Sequence, residues 1–373
     1  MIMSRIYSID QQTSGDNHAG AKAPADVSEI CRSMGMESFP FPTQKYAIPH
    51  GKKEEVLGKV WLLKTCSERW KKLERLVEDG DVVLVQHPLY GTRAALHYIP
   101  EIKEKKKCRF VVLIHDLESL RSGISGLYAK SEKTAELSDN ELLRHFDMII
   151  CHNEHMKACL TSRGFDPERI VCLEIFDYLT QQKMITPRRH ENPTLVVAGN
   201  LHPGKSGYLY DFFREQEKTG RETKTEMNLY GVNFDRSRAD RRMHYMGSFP
   251  ADILPGKLDG DFGLVWDGPS AETCTGNTGE YLRYNNPHKT SLYLASGLPV
   301  LVWKQAAVAD FVLAHHAGIA VESLYEADEA IRRITDEEYA ALCAGARETG
   351  KKLRSGFYFR TAFQTCMDRM HSE

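Results

Sequence analysis

The sequence predicts an α/β protein built from two doubly wound, Rossmann-like domains that face each other across a cleft. Short apolar runs recur along the chain and alternate with polar loops and amphipathic helices, the pattern of buried parallel strands. At 373 residues the chain is too long for one ordinary core and fits two domains. A polar, proline-bounded stretch at 176–193 separates the two halves.

Composition and charge narrow the function classes. The net charge of −2 gives no general affinity for polyanions, so nucleic acid is not an expected partner. The nine cysteines include no C-x-x-C pair and are predicted to be reduced thiols. The opening MIMSRIYSID is too short and too polar for a signal peptide, and no run approaches the ~18 apolar residues of a membrane span. We therefore expect a cytoplasmic protein whose contact with the inner face of a membrane, if any, is peripheral.

The first domain is predicted to span residues 1–185. Ser4–Ile9 is a candidate strand, the polar loop after it contains His18, and a helix ending at Gly35 follows. Strand, glycine-bearing loop and helix form a mononucleotide-binding layout, but G-x-G-x-x-G is absent, which removes the main support for a dehydrogenase. The loop could line a cleft or be an ordinary connection. His18 is a weaker candidate for a catalytic base.

A long helix is predicted over residues 54–78, with Val56, Leu57 and Val60 among its apolar residues. Further along, the basic run KEKKKCR (103–109) could attract anionic lipid headgroups. The alternative is a solvated helix end whose lysines are favoured by the helix dipole.

The strand Arg109–Ile114 is followed directly by His115 and Asp116. In open α/β sheets the ligand crevice lies outside the carboxyl ends of the strands. Either residue could therefore be the general base that deprotonates a substrate hydroxyl. Alternatively, Asp116 caps the turn that follows and His115 packs against it.

The second domain begins with a strand and a loop, Gly199–Ser206, that matches the P-loop pattern G-x-x-x-x-G-K-S. This match would favour a nucleoside triphosphatase. Against it, Pro203 lacks a backbone N–H for cradling phosphate. Both interpretations place phosphate near Asn200 and Lys205.

Two further features follow in this domain. Tyr230 could stack on a nucleobase, with Asn233 near the edge of the base, or it could simply end a core strand. The D-x-D formed by Asp259 and Asp261 resembles a metal-binding signature. It precedes the strand Phe262–Trp266, whereas ligands gather after the carboxyl end, so we predict a turn there.

The stretch after that strand predicts an anion site. Asn286 and Pro287 are expected to open a helix as N-cap and first residue, with Lys289 in the first turn. Free N–H groups, the helix dipole and the lysine charge would all favour a diphosphate. Asp267 and Asn285 could bind sugar or ribose hydroxyls. The alternative is an ordinary helix cap with a solvated lysine.

The domain is predicted to end near residue 355, after a helix opened by a capping box at Thr335–Glu338, and a last helix occupies about 356–373. Four segments carry a resemblance: HDLESLR (115–121), HNEHMKACLTSRGF with LEIFDYL (152–179), GNL and KSGYL (199–209), and EYLRYNNPHKTSLYLASGLPVLVW (280–303). Together these segments resemble bacterial GT-B glycosyltransferases of the β-1,6-galactofuranosyltransferase-like group, which includes glucosyltransferases that extend GlcNAc on serine-rich adhesins.

The resemblance implies a GT-B fold whose residues 186–355 bind a UDP-sugar and whose first domain binds a saccharide acceptor. It implies transfer of galactofuranose, glucose or galactose with inversion, in the synthesis of a cell-surface polysaccharide or glycoprotein glycan, and a last helix that crosses back to the first domain. Lys205 and Lys289 would neutralise the leaving diphosphate, so neither metal nor cofactor is expected. The candidate residues are Asp116, His115 and His18 for catalysis, and Asn200, Lys205, Tyr230, Asn233, Asn285, Lys289 and Asp267 for donor binding.

Two other functions stay open at this point: a P-loop nucleoside triphosphatase or phosphotransferase using Gly199–Ser206, and a non-catalytic subunit that binds a sugar nucleotide. The sequence is also compatible with a homo-oligomer and does not identify the acceptor.

Overall fold

Two parallel sheets form the framework of the protein. The structure is a computed structural model that describes residues 4–11, 19–43, 51–121, 136–219 and 223–372. The strands are β1 (Ile6–Gln11), β2 (Glu37–Phe41), β3 (Val82–His87), β4 (Arg109–Ile114), β5 (Met148–Cys151), β6 (Ile170–Cys172), β7 (Thr194–Asn200), β8 (Glu226–Val232), β9 (Met243–Gly247), β10 (Phe262–Val265), β11 (Val300–Trp303) and β12 (Gly318–Val321).

Helices connect the strands and cover the sheets. They are α1 (Ala19–Ser33), α2 (Lys52–Leu76), α3 (Thr92–Lys106), α4 (Glu118–Arg121), α5 (Glu154–Ser162), α6 (Pro203–Ser206), α7 (Tyr208–Thr219), α8 (Gly276–Tyr281), α9 (His288–Ala295), α10 (Val308–Ala314), α11 (Ala327–Arg333), α12 (Asp336–Ser355) and α13 (Phe357–Ser372). Among the described residues, no helix combines the length and apolarity needed to cross a membrane.

Each sheet has six strands and a point where the strand order reverses. The orders are β2-β1-β3-β4-β5-β6 and β12-β11-β10-β7-β8-β9, and the paired neighbours run parallel. The reversal falls between β1 and β3 in the first sheet and between β7 and β10 in the second. Ligands of open parallel sheets bind beyond the carboxyl ends at such points.

Alternation along the strands divides the apolar side chains between two cores. In β3, Val82 and Leu84 join the core shared with the second sheet, whereas Val83 and Val85 face the other core. Successive side chains of a strand point to opposite faces. A continuous apolar run therefore predicts a strand covered on both sides, and the doubly wound architecture follows from it.

The structure contains a strand at the edge of the first sheet, β2, that the sequence did not predict. β2 was not predicted because its sequence, ESFPF, contains Pro40; the strand lies at the sheet edge, where a missing N–H is tolerated. The predicted capping box is confirmed, because the side chain of Thr335 accepts from Glu338 N and that of Glu338 accepts from Thr335 N.

The last helix, α13, packs on β5 and β6 of the first sheet and on α1. Its N-terminus is held by the Asp177 carboxylate, which accepts from Tyr358 N at 3.2 Å and from Phe359 N at 2.8 Å. Asp177 lies between β6 and β7, in the segment where the chain passes from one sheet to the other. The end of the chain is therefore anchored beside this crossing.

Three histidines surround Phe176 at the same crossing, and we call this group the junction cluster. The ring centroids of His115, His152 and His288 lie 4.9, 5.0 and 6.4 Å from that of Phe176. Each histidine donates through Nε2: to Gln86 Oε1 for His115, and to backbone carbonyls for the other two. Burial lowers the pKa of His115 to about 3 and the pKa of His152 and His288 to about 4.

Candidate active site

Asp116 lies at the carboxyl end of β4 and is held by both halves of the protein. Its Oδ2 accepts a hydrogen bond from Arg121 Nη1 at 2.9 Å. The hydroxyl of Tyr281, from α8 beyond the second sheet, hydrogen-bonds the Asp116 carboxylate and accepts from Leu117 N at 3.0 Å. The carboxylate therefore stands where the two halves meet, with its orientation set from both sides.

Burial raises the pKa of Asp116, and the charges of Arg121 and Lys205 oppose that rise. Lys205 follows β7 in the second half, and its positive charge acts on the Asp116 carboxylate of the first half. The guanidinium of Arg121 is itself desolvated, but the carboxylates of Asp116 and Glu118 keep its pKa above the ordinary value. An ionised carboxylate with a raised pKa is a stronger base than one in water and can accept a hydroxyl proton more readily.

The structure corrects the candidacy of His115 as the base. Its Nε2 already donates to Gln86 Oε1 at 2.7 Å, and its ring stacks on Phe176. A ring whose pKa is lowered to about 3 by burial does not hold a proton near neutral pH. His18 lies outside the described residues. Of the three predicted catalytic residues, Asp116 is the one whose surroundings suit the role.

The loop that matches the P-loop pattern does not cradle phosphate. Pro203–Ser206 forms a short helix capped by His202, whose Nδ1 accepts from Gly204 N at 3.0 Å. The carbonyl of His202 accepts from both Lys205 N and Ser206 N at 2.9 Å. The Ser206 hydroxyl donates to Asn200 O at 2.8 Å. Groups that a P-loop offers to phosphate and magnesium are thus engaged within the loop.

Two loops at the reversal point of the second sheet are locked together. Gly268 N donates to Lys205 O at 2.9 Å. A Cβ on Gly207 would lie 2.9 Å from Pro269 Cα, so the backbones approach more closely than any side chain allows. Lys205 and Asp267 therefore belong to one rigid unit at the carboxyl edge of the sheet.

Asn200 and Asn233 meet at the ends of β7 and β8. Asn233 Nδ2 donates to Asn200 Oδ1 at 2.9 Å, and both side chains are exposed. The predicted stacking role of Tyr230 is corrected: its side chain is 1% exposed, and its hydroxyl accepts from Asp259 N at 3.1 Å. A ring in the core cannot offer its face to a nucleobase.

Lys289 is committed to an ion pair. Its Nζ donates to Asp267 Oδ1 at 2.8 Å and to the carbonyl of Trp266 at 2.9 Å. The side chains of Lys289 and Asp267 are only 13% and 8% exposed. The structure therefore brings together two residues that were predicted to bind the donor separately.

The helix predicted at Asn286–Pro287 begins later than expected. α9 starts at His288, with Pro287 at the N-cap and no side-chain cap. Asn286 instead contacts the first half of the protein, where its Oδ1 accepts from Asn153 Nδ2 at 2.7 Å. Buried beside this helix end, Asn285 Oδ1 and Thr290 Oγ1 have no hydrogen-bond partner in the described part of the chain. An uncapped N-terminus with two uncommitted oxygens suits a polar ligand.

The D-x-D is a structural turn, as predicted. Asp261 is 2% exposed and accepts from Thr194 N at 2.7 Å and from His190 N at 2.8 Å. Its position at the amino end of β10 is opposite to the cleft. Within the described ranges, no group of three or more His, Cys, Asp or Glu side chains is arranged to hold a metal ion.

Arg121 is the site residue that sequence reasoning missed. It lies in the segment HDLESLR, five residues after Asp116, and this spacing matches no known catalytic motif. Its guanidinium contacts Asp116 and lies 5.8 Å from the ring centroid of Tyr281. The sequence signal for Arg121 is a basic residue shortly after a strand and an Asp. This pattern is too common in α/β proteins to identify a site residue.

Two facing Rossmann-like domains, with a last helix that packs back on the first, define the GT-B class of glycosyltransferases. The family models for the glucosyltransferase 3-like N-terminal and C-terminal domains match residues 3–175 and 195–366. The chain belongs to this glucosyltransferase 3-like family and is a glycosyltransferase.

Relatives and solved structures agree with that assignment. β-1,6-Galactofuranosyltransferase WbbI of Escherichia coli (strain K12) is 33% identical over 302 residues, covering 78% of this chain and 81% of WbbI. Glucosyltransferase 3 of Streptococcus gordonii is 24% identical, covering 90% of each chain. Sucrose-phosphate synthase from Thermosynechococcus elongatus shares the fold, with a TM-score of 0.61 at 12% identity and coverage of 99% of this chain and 98% of the synthase.

Proposed function

We propose that the protein transfers a hexose from a UDP-sugar to a hydroxyl of a saccharide acceptor, with inversion at the anomeric carbon and Asp116 as the general base. The observation that carries this proposal is the position of Asp116 at the carboxyl end of β4, where Arg121 donates to its carboxylate and Tyr281 of the second half contacts the same turn. The names of the relatives, a galactofuranosyltransferase and glucosyltransferases, support a hexosyl donor. A solved neighbour of the same fold, Anabaena HepE, is a complex with UDP, which supports a uridine diphosphate.

In the proposed reaction, the Asp116 carboxylate takes the proton of the acceptor hydroxyl as its oxygen attacks the anomeric carbon. The bond from that carbon to the diphosphate oxygen breaks, its electron pair stays on that oxygen, and UDP leaves. Arg121 and Tyr281 orient the carboxylate. Lys205 and the open N-terminus of α9 stabilise the charge that develops on the leaving diphosphate. Fixed positive groups then do what a divalent cation would do, so the reaction is proposed to be independent of metal.

The donor hexose is proposed to be galactofuranose, glucose or galactose. The acceptor is proposed to be a glycan under assembly for a cell-surface polysaccharide or a glycoprotein. A P-loop nucleoside triphosphatase is not supported, because the N–H groups of Gly204, Lys205 and Ser206 are all accepted by His202.

The test is a thermal-shift panel of UDP, UDP-glucose, UDP-galactose, UDP-galactofuranose, GDP and ATP, with and without magnesium, followed by UDP release on saccharide acceptors. A ligand at a hundred times its dissociation constant stabilises the folded state by ~2.7 kcal/mol, which shifts the midpoint measurably. We expect a shift with UDP and one UDP-hexose that magnesium does not change, and UDP release with that hexose.

Two outcomes would contradict the proposal. A shift that requires ATP with magnesium would make Gly199–Ser206 a triphosphate site. Binding of UDP-sugars without UDP release on any acceptor tried would favour a non-catalytic sugar-nucleotide-binding subunit.

A further inference from the structure

The long helix α2 extends well beyond the sheet that it covers. It follows β2, so it begins at the carboxyl edge of the first sheet, and it runs for 25 residues. Its buried residues, Cys66, Trp70 and Leu73, all lie in its second half. None of residues 51–64 is buried. At 1.5 Å per residue, ~20 Å of helix therefore stands clear of the core at this edge.

The projecting half carries a stripe of exposed apolar side chains, here called the α2 stripe: Val56, Leu57, Val60 and Leu63. They are 58%, 48%, 61% and 45% exposed. Their spacing of one, four and seven residues from Val56 places them on one face of the helix. The sequence predicted a helix with these apolar residues, and the structure shows that they face outward rather than into a core.

Positive charge surrounds the α2 stripe. The projecting half has four Lys residues and two Glu residues, a net charge of +2, in a chain whose net charge is −2. Lys52, Lys53, Lys59 and Lys64 all lie in the projecting half. An exposed apolar stripe flanked by lysines is the arrangement of helices that lie in the interface of an anionic bilayer.

We propose that the α2 stripe docks the protein on an anionic lipid bilayer, with Val56, Leu57, Val60 and Leu63 entering the boundary between headgroups and acyl chains. A second copy of the chain fits this surface less well, because two projecting halves, each of net charge +2, would face each other with like charges.

The basic run at 103–107 is a poorer membrane surface. It ends α3, which places it at the amino edge of the first sheet, away from Asp116. Lys103 is paired with Asp147 at 2.9 Å and Lys105 with Glu101 at 2.6 Å. This segment is therefore the solvated, ion-paired helix end that was the alternative interpretation of the sequence.

The position of the α2 stripe has a consequence for the acceptor. The stripe and Asp116 lie at the same, carboxyl edge of the first sheet. If the proposed transferase function holds, on which this step rests, a bilayer docked there would present a lipid-linked saccharide to the cleft.

The experiment is flotation of the full chain with vesicles of phosphatidylcholine alone or with phosphatidylglycerol at about one third of the lipid. The variant is Val56→Glu/Val60→Glu, and the matched control is Leu313→Glu, because Leu313 is also 48% exposed but lies on α10. We expect the wild type and the control to float with the anionic vesicles. The double variant should bind at least about tenfold more weakly, and high salt should weaken the wild type.

Equal flotation of the double variant and the wild type, or no flotation of the wild type, would overturn the proposal. A wild type that sediments as a dimer, together with a double variant that sediments as a monomer, would also overturn the proposal, because a second copy of the chain would then cover the α2 stripe. UDP release with a water-soluble saccharide acceptor separates the two proposals. The double variant should keep wild-type turnover there, and failure of the wild type itself would count against the transferase function, not against docking.

Discussion

The cleft and the junction cluster are both rich in titratable side chains, but their surroundings favour opposite charge states. In the cleft, carboxylates and cations are paired: Asp116 with Arg121 at 2.9 Å, and Asp267 with Lys289 at 2.8 Å. In the junction cluster, His115, His152 and His288 surround Phe176, and burial lowers all three pKa values.

The difference shows that the surroundings decide what burial does to a titratable group. Desolvation disfavours the charged form everywhere, and a nearby opposite charge or hydrogen bonds to the charged form offset it. The cleft supplies such charges, so it keeps ions that can act on a reacting bond. The junction cluster supplies carbonyl oxygens that accept from neutral rings, so it becomes a dry contact between the two halves.

The strongest test of the charged cleft is removal of the proposed base, Asp116. Asp116→Asn keeps the shape and cannot accept the hydroxyl proton, so kcat should fall by about a hundredfold to ten-thousandfold. UDP binding should be retained, as measured by calorimetry. Because burial raises the pKa of Asp116 and the base acts when ionised, wild-type kcat should rise with pH through that pKa.

The matched control is Glu118→Gln, which removes a carboxylate 3.8 Å from the same Arg121. Its kcat should stay close to that of the wild type. Unchanged turnover in Asp116→Asn would transfer the role of base to another group.

A second test breaks the buried pair. Lys289→Met leaves the Asp267 carboxylate buried without its partner, which should cost about 3 kcal/mol of unfolding free energy in urea. Asp267→Asn/Lys289→Met removes both charges and should regain most of that loss. The surface pair offers the control: Lys304→Met, which frees the exposed Glu322, should change stability little. Equal effects of the buried and exposed substitutions would contradict the description of a charged cleft shielded from water.

The junction cluster predicts a pH effect of moderate size. Burial lowers the pKa of His152 to about 4, so below the ordinary value of ~6.5 the unfolded chain binds a proton that the folded ring refuses. Stability from this group is present above pH ~6.5 and is lost as the pH falls to ~4. Between pH 7 and 4.5, His152→Asn should lose about 2 kcal/mol less unfolding free energy than the wild type does.

His155→Asn is the matched control, because this histidine on the next helix is half exposed. It should keep the pH dependence of the wild type. If the unfolding free energy of His152→Asn changes with pH as it does in the wild type, the His152 ring is not held neutral in the folded protein.

The smallest expected effect is the pH dependence that Asp177 gives to stability, and its sign is opposite to that of His152. Burial raises the pKa of Asp177 to about 7, and the hydrogen bonds from Phe359 N and Tyr358 N only partly offset it. The folded protein therefore holds a proton that the unfolded chain releases, and stability falls as the pH rises through about 4 to 7. Asp177→Asn keeps an oxygen that can accept from Phe359 N, and the variant should lose about 1 kcal/mol less unfolding free energy than the wild type between pH 6 and 8. A steeper loss in the variant would show that the ionised carboxylate is the stabilising form.

Much of the fold could be predicted from local patterns. β4 and β11 match their predicted bounds, Asn153 caps α5 through Met156 N, and Thr335 opens α12 with its capping box. These features depend on neighbours within a few residues. β2 was missed because it does not depend on near neighbours in this way. Its strand conformation comes from pairing with β1 and not from the local sequence ESFPF.

The site could be predicted only in outline. Strand ends located Asp116, Lys205 and Asp267, because ligands gather at the carboxyl edge. Residue types alone could not show which candidates are free to contact a ligand. Tyr230 is buried, and Lys289 is paired with Asp267. Burial and ion pairing depend on packing between elements, which local spacing does not encode.

The sequence by itself determined two series of apolar runs and helix caps, and therefore two doubly wound domains with polar loops at one edge of each sheet. Tertiary structure alone decided which polar groups are charged partners and which are neutral. The bond from Leu117 N to the Tyr281 hydroxyl joins residues 164 positions apart. Such contacts form only when the two domains pack, and the surroundings that they create then determine the pKa of Asp116 and of His115.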